Sequence, residues 1–180
     1  MIMRTLLRSV VAAIIVGSLI FGATRAFAVT AAEIQAAAKA AEDGNAIAQQ
    51  AEKLDGLISS YRSSTGGAEF EITARALGEL VTRSRQLKVT ASLYERLVEV
   101  ALNLRKNVTQ AREAREDQAG GSEAALEKLY RSLDWNHLDY SKVASQYWTA
   151  WARLGWAEGL PEGQARTELL QRAEGGFVRG

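Results

Sequence analysis

Residues 69–117 read Glu-Phe-Glu-Ile-Thr-Ala-Arg-Ala-Leu-Gly-Glu-Leu-Val-Thr-Arg-Ser-Arg-Gln-Leu, then Lys-Val-Thr-Ala-Ser-Leu-Tyr-Glu-Arg-Leu-Val-Glu-Val-Ala-Leu-Asn-Leu-Arg-Lys-Asn-Val-Thr-Gln, then Ala-Arg-Glu-Ala-Arg-Glu-Asp. Leu77, Leu80, Ser84, Leu87, Ala91, Tyr94, Val98 and Ala101 recur at alternating spacings of three and four. That period keeps one seam of a helix aligned over several heptads. Only Gly78 interrupts it, so the spacing predicts one helix from 69 to 117. At about 1.5 Å per residue its length would approach 70 Å, too long for a compact globule.

C-terminal to this stretch, Gln118-Ala119-Gly120-Gly121-Ser122 breaks the pattern, and Ser122 has the chemistry of an N-cap. The seam resumes as Leu126, Leu129, Leu133, Tyr140, Ala144, Tyr147, Trp151 and Leu154. A short loop between two long, similarly striped helices makes them antiparallel neighbours. Residues 67–159 are therefore expected to form a long, coiled-coil-like helical hairpin. N-terminal to it, Thr30-Ala31-Ala32-Glu33 has the form of a capping box. Ile34, Ala41, Ala48, Ala51, Leu54, Ile58 and Tyr61 follow as one stripe, so 29–66 reads as a third helix packed along the hairpin, weakened at Gly44. Residues 160–180 hold the only proline, Pro161, and are expected to give a short helical turn and a frayed, Gly-rich tail. No stretch alternates apolar with polar residues, so the expected fold class is all-α.

The first 28 residues read as a secretory signal peptide. Arg4 and Arg8 form a basic start, Val10 to Ala23 an apolar run, and Ala26-Phe27-Ala28 a small-x-small cleavage pattern. The alternative is a retained anchor, but the uncharged stretch between Arg8 and Arg25 is 16 residues, short of the roughly 20 that cross a bilayer untilted. An exported, periplasmic protein is the expectation. Removing this segment takes Arg4, Arg8 and Arg25 and no acid, leaving 22 − 3 = 19 basic residues against 21 acidic, or −2. The electrostatic footprint of a nucleic-acid partner is absent.

Little in the chain points to chemistry. The absence of cysteine excludes disulfides, thiolate catalysis and Cys-based metal sites. His137 is the sole histidine, too few for a His-based metal centre, and reads as a partly exposed helix residue. Glu113, Glu116 and Asp117 interleave with Arg112 and Arg115 as a solvated, ion-paired face rather than a general-acid pair. Asn107-Val108-Thr109 fits a glycosylation sequon but falls mid-helix. No phosphate, dinucleotide or calcium motif is present, so no catalytic, cofactor-binding or metal-binding residue is assigned.

One feature stands out. All four tryptophans, Trp135, Trp148, Trp151 and Trp156, fall in the returning helix with Tyr130, Tyr140 and Tyr147. Such a face serves as core packing against the first helix, as a subunit or partner interface, or as an aromatic belt at a membrane. The candidate interaction residues are Tyr140, Tyr147, Trp148 and Trp151, with Leu126, Leu129 and Leu133 as the seam.

From Arg83 to Gly159 the chain resembles the C-terminal helical hairpin of the TolC-like outer-membrane efflux proteins. The resemblance rests on Ala111-Arg112-Glu113-Ala114-Arg115, the glycine turn, and a return running Leu126, Leu129, Leu133, Tyr140, Tyr147, Ala152, Leu154, Gly155. It implies a non-enzymatic component of a trans-envelope assembly, a homo-oligomer or an envelope protein partner, and association with the outer membrane. Family members carry two such hairpins and strands for a barrel; this chain has one hairpin and no ten-residue alternating segments, so the resemblance implies a reduced or partial relative. A second expectation is a soluble periplasmic binding or chaperone-like module, in which the aromatic helix and the first helix enclose an apolar ligand or client segment.

Overall fold

The computed structural model describes residues 29–178, so the expected signal peptide lies outside the described residues. Among these there are seven helices and no strand: α1 Ala31–Lys39, α2 Gly44–Ser60, α3 Gly67–Leu87, α4 Ala91–Ala119, α5 Glu123–Tyr130, α6 Leu133–Glu158 and α7 Gln164–Val178. The all-α class is as the periodicity dictates.

Local chemistry explains where each helix starts. The capping box at α1 is formed, the Glu33 carboxylate accepting from Thr30 N–H at 2.8 Å while Glu33 N–H donates to the Thr30 hydroxyl at 3.3 Å. The expected single helix over 29–66 is two, because Asp43 accepts from Ala46 N–H at 2.8 Å and so caps a new start at Gly44. The expected continuous helix from 69 to 117 is also two. Lys88 turns the chain with φ 51° and ψ 51°, and α4 restarts after Thr90. Within the returning segment, Ser132 caps a third new start by accepting from Trp135 N–H at 3.1 Å, which separates α5 from α6.

These breaks fold the sequence into a bundle in which α3, α4 and α6 form the centre. α3 and α4 are antiparallel around the Lys88 turn, and α6 packs along both, antiparallel to α4 and parallel to α3. The expected antiparallel pairing across Gly120-Gly121 is thus present as α4 against α6, about 43 and 39 Å long at 1.5 Å per residue. α1 lies on α3, with Arg83 Nε donating to the Ala41 carbonyl at 2.7 Å, while α2 lies over α3 and α4. Ile47, Leu54 and Ile58 of α2 close the core over Phe70, Leu77 and Leu80 of α3 and Leu97, Val100 and Leu104 of α4.

α6 enters the bundle by a different route. Apart from Trp135 and Leu138, its buried residues are small: Ser141, Ala144, Ser145, Thr149, Ala150, Ala152, Gly155 and Ala157. The hydroxyls of Ser141 and Thr149 donate to the carbonyls four residues back, each at 2.6 Å, which allows them to be buried. A narrow inner face brings the backbones close and leaves the large rings on the flanks. The expected frayed tail is instead α7, packed on α6 through Leu169 and Ala173.

Candidate interaction surface

Tyr140, Tyr147 and Trp151 share one side of α6 with Trp148 beside them, and the structure brings Tyr147, Trp148 and Trp151 into ring contact while Tyr140 stands two turns earlier. Tyr147 is the hub: its ring meets Trp148 at 4.9 Å and Trp151 at 6.3 Å, both edge-on, the arrangement favoured by ring quadrupoles. Trp148 turns inward, its indole seated on Gly78 of α3 so closely that a Cβ there would stand 2.6 Å from the ring. Trp151 lies over the other flank with Arg85 of α3 stacked 4.5 Å from its ring. Tyr140 carries Arg75 of α3 at 5.1 Å, and Arg75 is itself held by Glu71 at 2.7 Å. Two arginines of one helix thus bracket an aromatic row on its neighbour.

Exposure divides these residues by role. Tyr140 and Tyr147 remain 41% and 42% exposed, and with Val143 they make an outward apolar row, whereas Trp148 and Trp151 are half-buried supports. The remaining two tryptophans are elsewhere. Trp135 is buried near α5, with Arg112 stacked on it at 4.4 Å, and Trp156 is half-buried against the core. The first helix, expected to pack on the aromatic helix, does not touch it: α1 and α2 contact α3 and α4, and α3 occupies that place.

The leucine seam is a correction. Leu133 is 70% exposed, and α5, which carries Leu126 and Leu129, buries no residue. A continuous 3.5-residue seam needs one continuous helix, and the Ser132 cap rotates α5 out of register with α6. In place of the seam the structure supplies Phe177, whose ring lies 5.9 Å from Tyr147 and 5.4 Å from Trp151. Its sequence signal was the run Leu169, Ala173, Phe177 at steps of four, overlooked behind Gly175-Gly176.

A polar clamp fixes the end of the row where α3 and α6 both begin. The Asp134 carboxylate accepts from Gly67 N–H at 2.6 Å and from Arg115 Nε at 2.9 Å, and Arg115 also donates to the Thr65 carbonyl at 2.7 Å. Burial pushes the Asp134 carboxyl up, but those two hydrogen bonds together with the nearby charges of Arg115 and His137 hold the group below its ordinary value. His137 contacts Glu71 through Nδ1, and the hydrogen bonds from His137 and Arg75 lower the Glu71 carboxyl in turn. The side chain of His137 is one-quarter exposed, as a partly exposed helix residue should be.

No protein-family model, curated protein or solved structure matches this chain. What the surface does is therefore argued from its own residues. Among the described residues no group of three or more acidic or histidine side chains is placed to hold a metal ion, and no helix is long and apolar enough to cross a membrane. The surface presents two exposed tyrosines, half-buried tryptophans behind them, and Arg75 and Arg85 stacked at its two ends.

Proposed function

We propose that this chain is a non-enzymatic helical interaction component of the bacterial cell envelope, binding a second protein or a second copy of itself through the row of Tyr140, Val143 and Tyr147. The observation that carries it is the exposure of that row on a rigid support, two tyrosines backed by Trp148 and Trp151 and bracketed by Arg75 and Arg85. Tyr, Trp and Arg are the residues enriched among interface anchors, Tyr and Trp because their rigid rings bring large contact area at low entropic cost. Support for an envelope location comes from the leader-like residues 1–28, and support for an efflux-related, trans-envelope partner from the TolC-like resemblance over 83–159.

Sedimentation of the purified chain, with photo-crosslinking from Tyr140, Tyr147 and Lys53 in producing cells, tests this. Lys53 is an exposed control on α2. Association that disappears in the Tyr140→Asp/Tyr147→Asp double variant, or an adduct from the tyrosine positions and not from Lys53, is the expected result. A monomer whose tyrosine positions crosslink no better than Lys53 ends the proposal. Fractionating the same cells reads the location: a shortened form in the periplasm or outer membrane is expected, a full-length cytoplasmic form the opposite.

A different observation favours the binding-module reading. A groove of about 590 Å³ runs between the start of α1, the end of α2 and α3, with Val29, Leu57, Tyr61 and Ile72 among its lining. Its apolar walls suit a hydrophobic ligand or client segment, although α6 takes no part in it. A soluble monomer that enhances the fluorescence of an apolar dye, with the gain lost in Ile72→Asp, is the outcome this reading requires.

A further inference from the structure

At the far end of the bundle, where α3 turns into α4 and α6 ends, a cavity of about 470 Å³ opens among Arg85, Lys88, Tyr94, Glu158 and the backbones of Gly155 and Gly159. Three of its polar groups have business left undone. Arg85 Nη1 is buried without a hydrogen-bond partner, and Arg85 Nη2 stands 3.6 Å from Glu158, beyond hydrogen-bond reach. Tyr94 is only 5% exposed and lines the cavity, and its hydroxyl has no hydrogen-bond partner among the described residues. Burial pushes that hydroxyl up, while Arg85 pulls it down and Glu158 pushes it further, with no hydrogen bond contributing. The hydroxyl is therefore within electrostatic reach of both charges and bonded to neither.

The surroundings hold these groups where they are. The Arg85 guanidinium carbon stands over the Trp151 ring, 4.5 Å from its centroid, which restrains the side chain. The Tyr94 ring fills the place a Cβ would take on Gly155, 2.4 Å from the nearest ring carbon. Lys88 is presented by the left-handed residue that makes the turn. Two cations and one carboxylate give a local charge of 2 − 1 = +1, which a single negative charge neutralises.

We infer that this cavity is a binding site for a small monocarboxylate, the carboxylate accepting from Arg85 and from the Tyr94 hydroxyl with Lys88 as a second cation. A guanidinium suits a carboxylate because its parallel N–H groups match the two oxygens. A buried phenol with no protein partner gains a hydrogen bond that costs little further ordering. The volume exceeds that of the carboxylate itself, leaving room for a short organic tail beside Val89. The site shares Arg85 with the Tyr140–Tyr147 surface, and the variants at Tyr94 and Lys88, which lie outside that surface, keep the two readings apart.

The test is a titration of the 15N-labelled chain, with sodium acetate as the probe, sodium chloride at equal ionic strength as the control and sodium phosphate as the competing class. The readout is the amide signals of Gly155 and Gly159, which line the cavity. Saturable acetate-dependent shifts are expected, weakened about tenfold in Arg85→Gln, a charge-assisted contact, and about fivefold in Tyr94→Phe. Arg131→Gln, remote at the C-terminal cap of α5, should match the parent. Should Arg85→Gln fail to fold by circular dichroism, Tyr94→Phe and Lys88→Gln decide. Shifts that match chloride, or that survive both Tyr94→Phe and Lys88→Gln undiminished, overturn the site. Phosphate binding tighter than acetate overturns the monocarboxylate class.

Discussion

Gly78 shows how one residue can be misjudged by propensity alone. In sequence it is a weak point in a long helix, since glycine costs helix stability through its backbone freedom. In the fold it is the seat of Trp148, and a Cβ would meet the indole at 2.6 to 2.7 Å. Gly78→Ala should therefore destabilise by about 1–3 kcal/mol, as overpacking does, against the stabilisation that propensity alone would forecast. A urea unfolding curve reads the sign directly. The capping residues went the other way: Thr30 and Glu33 were legible because a capping box is a local hydrogen-bond pattern, complete within four residues. Asp43 and Ser132 use the same chemistry and were as legible in principle. They were passed over because an apolar stripe continued across them.

At the scale of the element, the turn at Lys88 is the decisive break. It is the only non-glycine residue at positive φ among the described residues, a conformation that costs an L-residue roughly 1–2 kcal/mol. Lys88→Gly should relieve that cost and raise the stability of the anion-free protein by about 1 kcal/mol, seen as a higher urea midpoint at unchanged slope. Lower stability would mean that the lysine side chain contributes more than its backbone costs. α6 teaches a second lesson about elements. Its sequence seam was drawn through the large residues, Tyr140, Tyr147 and Trp151, whereas its buried face is the stripe of small ones, Ser141, Ser145, Thr149 and Ala152. Helices approach most closely where side chains are smallest, so the rings are displaced to the flanks, and the exposed Tyr140–Val143–Tyr147 row is a consequence of that displacement.

For the molecule as a whole, the clamp around Asp134 and Glu71 joins the α2–α3 loop, α3, α4 and α6, and it predicts the response to acid. Both carboxyls are lowered from their ordinary values of 3.8 and 4.5, so the unfolded chain binds protons first as pH falls. Their contribution is complete above those ordinary values and drains away as pH falls through the lowered native ones. Urea midpoints between pH 7 and pH 2.5 should accordingly fall mainly below about pH 4.5, and Glu71→Gln/Asp134→Asn should flatten that decline while lowering the midpoint at pH 7. A variant that declines in parallel with the parent would place the acid sensitivity in other carboxylates.

The amino-acid sequence by itself determined that residues 29–178 are helical, where α1 begins, that α4 and α6 are antiparallel across the Gly120-Gly121 turn, and that Tyr140, Tyr147 and Trp151 share one face of α6. All of these follow from interactions within a few residues or from a period in one strand of text. Only the tertiary structure decided that α3 and α4 part at Lys88, that Leu126, Leu129 and Leu133 form no seam, that Phe177 completes the aromatic row, and that Arg85, Lys88, Tyr94 and Glu158 meet around one cavity. Each of those depends on which helix lies beside which, and close packing of large rings against small residues settles that only when the whole chain is folded.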